Sequence, residues 1–362
     1  MIWHRIAVAT LLLLMGSGGF AQTPRDGEIA FVMTDLFWSV YQTQDAREEC
    51  PRGFNDGPRE QFETLFPDVT KHPVETSQLQ QEIATWHPTA APDGFEFKAV
   101  EGPYSWGMNL DGKSDPEDFQ HPDGTQGIDN QVYRAVGCVI GFRGPDGVEY
   151  IFQNKAIIDE RYNRMMIRLT DVDDLNNDDF VRLDLFRGRD RLLTDATGEA
   201  VVPGGTQRVD DRWGKRLIRH TTGRIVDGDI TTDPISEVIV PWMNLNVPSI
   251  HLFRDLRFEL ALSATRASGQ IAGYADVDTW YHQLIRNDST HHLSNGQISA
   301  ISLYRALRRF ADAYPDEAGA NRAISTALNI DMTQVHVLDE HGSLLEMPQS
   351  ADRQQATSAR TD

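Results

Sequence analysis

Apolar and polar positions alternate with a period of two through the middle of the chain, and the period lengthens to that of a helix only toward the C-terminal end. The clearest alternation lies at Arg164 to Thr170, where Met165, Ile167 and Leu169 oppose Met166 and Arg168. It returns at Phe180 to Phe186, with Val181, Leu183 and Leu185 set against Arg182 and Asp184. The polar run Asp171 to Asp179 separates the two, so they read as half-buried antiparallel strands. Glu28 to Thr43 is apolar, aromatic and β-branched and predicts one or two strands; Tyr133 to Phe142 and Glu149 to Gln153 predict two more. Arg257 to Ser263 and Gly269 to Tyr274 read as a hairpin. Turn signals recur at Thr197-Gly198, Pro203-Gly204-Gly205, Asp227-Gly228 and Asp233-Pro234. The expected fold is therefore mainly β with appended helices (α+β), its body a β-sandwich or jelly roll carrying a helical C-terminal lobe.

Helical signals are fewer. Arg59 to Phe66 and Ser77 to Trp86 predict two short helices, the second ended by Pro88, Pro92 and Gly94. Val277, Trp280, Tyr281, Leu284 and Ile285 fall on one helical face, with Asp276 placed to cap it. Ser294-Asn295-Gly296-Gln297 reads as a capping box ahead of a helix bearing Ile298, Ile301, Tyr304, Leu307, Phe310 and Tyr314. A third short helix is expected over Ala318 to Leu328, and a last strand over Thr333 to Leu338. The organisation that follows is one β-rich body over residues 22–347: N-terminal strands, short helices and acidic loops to 130, sandwich strands over 131–274, a helical lobe over 275–347. A polar tail occupies 348–362.

The first 21 residues read as an export signal, with Arg5 in the basic region, Ile6 to Met15 as the apolar stretch, and Gly19-Phe20-Ala21 before the cleavage point. That stretch is too short to span a bilayer, so no membrane insertion is expected and the protein is placed in the periplasm or the extracellular medium. In that setting the only two cysteines, Cys50 and Cys138, read as a disulfide.

Charge narrows the ligand classes. With 34 Lys and Arg against 54 Asp and Glu, the formal net charge is −20. Such a surface repels phosphate backbones, which excludes nucleic acid and favours a cation or a neutral ligand.

The acidity concentrates in two loops. The first runs from Met108 to Cys138 and holds Asp111, Asp123, Asp129 and Asn130 beside Gly112, Gly124 and Gly127. Hard cations take oxygens from such Asp, Asn and Gly-turn clusters, so calcium is the candidate cofactor. Asn109-x-Asp111-Gly112 matches the later part of an EF-hand loop, but Gly107 stands where the first Asp belongs and Asp118 replaces the terminal Glu. The second loop offers Asp171, Asp173 and Asp178, with Asp174, Asn176, Asn177 and Asp179 among them. The competing reading is that both loops are solvated turns. His282, with His291-His292 near Asp288, has poor spacing for zinc.

Catalytic signatures are absent: the chain has no G-x-S-x-G, S-x-x-K, Walker A, G-x-G-x-x-G or C-x-x-C-H motif past the signal. Glu237 and Glu259 are the nominees for a glycosidase pair, and Trp86, Trp106, Trp213 and Trp242 for a sugar-stacking platform.

Five segments carry a resemblance. Gly188 to Ala196 (GRDRLLTDA), Arg208-Val-Asp-Asp-Arg, Gly223-Arg-Ile-Val-Asp-Gly, Thr232-Asp-Pro and Gly127-Ile-Asp-Asn130 are similar to a set of exported proteobacterial proteins of unknown function. The resemblance implies an exported, β-rich protein and carries no catalytic residue across. The function expected is a non-enzymatic binding or envelope-accessory protein stabilised by calcium; the alternative is a secreted hydrolase acting on polysaccharide or ester substrates.

Overall fold

The structure, a computed structural model, describes residues 24, 27–55, 97–144, 148–158, 163–212, 217–244, 247–287 and 300–345. The export signal, the helices over 59–66 and 77–86, Trp86, Trp213, Asp288, His291, His292, the capping box and the polar tail lie outside these residues.

Thirteen strands are described: β1 (Ile29–Trp38), β2 (Phe119–Gln120), β3 (Gln126–Ile128), β4 (Arg164–Thr170), β5 (Asp178–Gly188), β6 (Gly205–Arg208), β7 (Arg219–Val226), β8 (Asp229–Thr232), β9 (Val238–Asn244), β10 (Val247–Leu262), β11 (Arg266–Asp276), β12 (Ala313–Pro315) and β13 (Asn321–Leu338). Four α-helices accompany them: α1 (Gln131–Val136), α2 (Val148–Ile158), α3 (Val277–Asn287) and α4 (Ala300–Phe310). The mainly β reading with few helices holds. The arrangement of strands differs from two facing sheets. Eleven strands form one sheet, and within it β1, β4, β5, β7, β8, β10, β11 and β13 pair in turn until β13 meets β1 again. Every pairing around this ring is antiparallel, so the body is a closed sheet.

Closure follows from the alternation seen in sequence. Phe31 is paired with Ile167 and Ile167 with Leu185; Ile225 with Ile230, Ile230 with Leu260, Leu260 with Gly269, and Gly269 with Ile330. These positions share one face, and the side chains among them are at most 1% exposed, so that face lines the inside. The interior is packed with aliphatic and aromatic groups. The opposite face carries Arg168, Asp184, His220, Glu259, Gln270 and Asn329.

Three local expectations are corrected. Tyr133 to Phe142 is helix α1 followed by a 3₁₀ turn at Ile140–Phe142, and Glu149 to Gln153 lies in α2. In α1, Gln131, Val132, Tyr133, Ala135 and Val136 are all buried, so no polar face existed to reveal a helical period. Ala318 to Leu328 contributes to β13 instead of a helix. Its alanines favour a helix intrinsically, yet Ala327 has to be small because Met108 and Leu110 pack onto it and onto Ala272. Tertiary packing decides that segment.

The ends of the ring are stapled and plugged. Cys50 and Cys138 form the expected disulfide. Beside it, Arg143 donates to Glu49 at 2.6 Å, and Asn55 bonds the carbonyl of Cys138 through both its N–H and its amide. Helix α3 starts directly after β11, where Asp276 caps it by accepting the Thr279 N–H at 2.8 Å. It sets Trp280 against Trp38 with ring centroids 4.8 Å apart. Trp242 and His251, from β9 and β10, complete the cluster, His251 lying 4.8 Å from Trp280 and 5.1 Å from Trp242. Neither ring nitrogen of His251 has a hydrogen-bond partner, nor has Trp38 Nε1.

Removing the disulfide with Cys50→Ala and Cys138→Ala together should cost about 4 kcal/mol of unfolding free energy, read in urea at fixed pH. An unchanged denaturation midpoint would deny the bridge any role in stability.

A second prediction concerns acid. Burial alone pushes His251 down to about 3, with no charged group among the rings that face it from β1, β9, β10 and α3. A folded value below the unfolded one means the unfolded chain takes up the extra proton. The contribution is complete above pH 6.5 and drains away below it, by about 1.4 kcal/mol per pH unit. His251→Phe should remove this slope between pH 6.5 and 4 and also relieve two unpartnered nitrogens. Melting curves of the two proteins across that range check it; parallel slopes refute it.

Candidate functional site

The acidic loop of residues 103–130 is bolted to the outside of the ring. Asn130 is the bolt: its side-chain amide donates to the carbonyls of Ser39 and Trp106 and to Ser105 Oγ, while its oxygen accepts the Ala327 N–H. All four contacts are structural, so Asn130 holds the loop and offers no free ligand atom. Gly127 permits the fold-back, since a Cβ there would sit 2.1 Å from the Lys113 carbonyl oxygen and its φ is +75°.

Underneath the loop lies a group of carboxyls. Asp129 is buried, and its Oδ2 accepts the N–H of Leu110 at 2.6 Å and of Asp111 at 3.3 Å. Asp312 accepts the Ser325 N–H at 2.7 Å. Desolvation raises Asp129 to about 6, with the Asp118 charge adding to it. Desolvation likewise raises Asp312 to about 6, again with Asp118 contributing. Asp312 is nonetheless open to solvent. Asp118 itself is raised by desolvation and by the charges of Asp115, Asp111 and Glu117.

Tyr274 stands among them. Its phenol is raised first by desolvation, then by Asp129, Asp312 and Asp111, against the opposing field of Arg257. Tyr314 meets its ring edge-on at 5.8 Å, and the Arg254 guanidinium lies 4.9 Å over Tyr314. The site is therefore an acidic surface beside two tyrosine rings, where Asp111, Asp118, Asp129 and Asp312 lie near Lys113, Arg254 and Arg257.

Of the residues nominated in sequence, Asp111 and Asp129 are brought together here. Asp111 is turned toward Lys113, whose ammonium and N–H hold its carboxylate below the usual range. Asp123 lies apart, on the turn between β2 and β3, paired with His121 at 2.8 Å. In the rival loop Asp178 accepts the N–H groups of Asp173 and Phe180, and Asp171 adopts a positive φ of 59°. Among the described residues no group of three or more His, Cys, Asp or Glu is arranged to hold a metal. His282 is exposed on α3.

The glycosidase nominees stay apart. Glu237 is exposed beside Arg219, one residue before the Val238–Phe253 pair, while Glu259 lies six residues further along β10. Glu237 thus stands opposite Arg254, five residues from Glu259, which places them roughly 16 Å apart along the strand, too far for a glycosidic pair. Sequence reasoning missed Asp312, Asp118 and Tyr274. Asp312 falls inside the helix expected to run to Tyr314, which instead ends at Phe310 before strand β12, and it lies nearly two hundred residues from Asp129 in sequence, so no spacing rule links them.

The raised carboxyls make a signed prediction. A folded value above the unfolded one gives stability that is complete below about pH 4 and lost as pH rises through 6. Asp129→Asn keeps an oxygen where both N–H donors converge. It should leave stability at pH 4 unchanged and raise it at pH 8 by up to about 3 kcal/mol. Asp312→Asn should gain less, because solvent screens an open carboxylate. Urea melts at the two pH values check both, and a loss of stability at pH 8 would contradict the account.

Compared with known proteins, the chain matches no family model, no curated protein and no solved structure.

Proposed function

We propose that the protein is an exported, non-enzymatic binding protein of the cell envelope or its surroundings, and that its ligand is cationic. Export is supported by the N-terminal pattern and by the disulfide, a bond that persists in oxidising compartments. A packed ring interior argues against a ligand held inside the body and for one held on its outer face.

The observation that carries the reading is the group of carboxyls around Tyr274. Asp129, Asp312 and Asp111 all act on this one phenol against the opposing field of Arg257, while Lys113 is held by Asp111 and Arg254 lies over Tyr314. Carboxyls raised to about 6 by desolvation, with the Asp118 charge adding to it, gain from an arriving cation. The rings of Tyr274 and Tyr314 favour an organic amine, whose charge meets an aromatic face as well as carboxylate oxygens. Calcium remains the inorganic candidate for the same carboxylates.

One observation favours the hydrolase reading. Asp129 and Asp312 both titrate near neutrality beside a phenol, as a general acid and base pair does.

Calorimetric titration separates these. Putrescine should bind at pH 7.5, release protons near pH 6, and bind at least about tenfold more weakly at pH 5 or to Asp312→Asn. Calcium chloride in the same cell tests the inorganic ligand. If neither cation gives saturable heat, the binding reading fails; turnover of a nitrophenyl glycoside or ester that Asp129→Asn abolishes would establish the hydrolase.

A further inference from the structure

A second feature of the same loop points to a different ligand chemistry. Trp38, Trp242 and Trp280 are at most 3% exposed, whereas Trp106 is 36% exposed. Around it stand Tyr41 with ring centroids 5.9 Å away and His121 edge-on at 5.1 Å, and Tyr104 lies 5.9 Å beyond Tyr41. An indole left in water is a cost that folding usually avoids, and here it is grouped with two phenols and an imidazole.

The cluster is rigid before any ligand arrives. The Trp106 carbonyl accepts from Asn130 Nδ2 at 2.9 Å and from Ser105 Oγ at 2.8 Å, and the Ser105 N–H donates to Gln120 at 3.0 Å. The following Gly107 has a φ of +151°, and a Cβ there would lie 2.9 Å from Ile128 Cγ2, so the backbone passes too close for a side chain. Preorganised aromatic rings lose little entropy on binding, which is how small polar ligands are held.

We propose that Trp106, Tyr41, Tyr104 and His121 form a binding site for the neutral sugar ring of a glycan. The C–H groups on one face of a pyranose carry partial positive charge and meet the negative face of the indole. The hydroxyls at the ring's edge need directional partners. Asp123 holds His121 through Nδ1 at 2.8 Å, which leaves Nε2 to bond a hydroxyl, and the Tyr41 and Tyr104 phenols add two more groups. The Thr125 N–H fixes Asp123 Oδ1 at 2.9 Å, so the imidazole is oriented from behind. Charge decides the class of sugar. Glu48 and Glu49 act on Tyr41, Asp123 borders His121, and the whole chain carries −20, so anionic sugars are repelled and neutral ones are not. This site shares no side chain with the carboxyl group around Tyr274, and each stands or falls alone.

The test is calorimetric titration of the full chain with a panel of neutral trisaccharides built from glucose, mannose, galactose and N-acetylglucosamine. At least one should bind saturably. Trp106→Ala should weaken it at least about tenfold, and Trp106→Phe should retain part of the affinity, since a smaller ring remains. His121→Ala should weaken binding less and shift the preference among sugars that differ at one hydroxyl. All three variants should keep the wild-type melting midpoint and the wild-type response to putrescine. The proposal is overturned if no member of the panel binds, or if Trp106→Ala binds as tightly as the parent. It is equally overturned if the patch proves to be a dimer contact, seen as self-association in sedimentation that Trp106→Ala abolishes without any saccharide bound.

Discussion

The pairing of β13 with both β1 and β11 is the constraint on which the rest depends. Over Leu328 to Thr333 this strand is hydrogen-bonded on both edges at once, and that double pairing turns a long sheet into a ring. Closure removes the exposed edges an open sheet would present and fixes which face of every strand is inside. A register slip of one residue in β13 would turn Leu328, Ile330 and Met332 out of the core and Asn329 and Asp331 into it. The cost of that exchange sets the register of the whole ring.

Because the interior is filled, chemistry is confined to the outer face and the loops on it. The acidic loop can lie flat there only because Ala272 and Ala327 are small and Asn130 replaces the hydrogen bonds its backbone would otherwise lack. The same close fit desolvates Asp129. Its two N–H donors favour the carboxylate, but burial outweighs them, and the group ends near 6. Compare Asp123, which takes the same kind of backbone donor, from Thr125, in open solvent and falls to about 2. Two carboxyls on one loop thus move in opposite directions: Asp123 is held down by its neighbours Thr125 and His121, whereas Asp129 is raised by burial where the loop folds back.

Much of the scaffold was legible in the chain. Alternation located β4, β5 and the β10–β11 hairpin, Asp276 announced the start of α3, and a lone pair of cysteines announced their bridge. Each of these signals is local, or rests on a count. What escaped was set by distant partners. The α1 segment is buried on every side, so its helix has no polar stripe. The Ala-rich start of β13 is a strand because a loop two hundred residues earlier presses on it. The acidic loop was correctly marked as the region of interest, yet Asp123 stands apart from Asp111 and Asp129, while Asp118, Asp312 and Tyr274 complete the group. Sequence distance carries no information about which face of a ring two residues share.

The carboxyls under the loop also oppose the demands of stability. At neutral pH the fold would gain by replacing Asp129 with a neutral amide, since the N–H donors would still be met and no charge would need desolvating. A protein without use for that charge has an inexpensive substitution available. Elsewhere carboxylates meet arginines: buried Arg168 pairs with Asp184 at 2.7 Å, Arg208 with Asp190 at 2.5 Å and Arg212 with buried Asp210 at 2.7 Å. Around Tyr274 the fields of Asp129, Asp312 and Asp111 raise the phenol against that of Arg257, and neither Asp129 nor Asp312 is paired to a cation in an ion pair among the described residues. A partly desolvated charge beside two tyrosine rings is a costly arrangement for a bare fold and a favourable one for a fold completed by a cation, which is why the ligand is sought there.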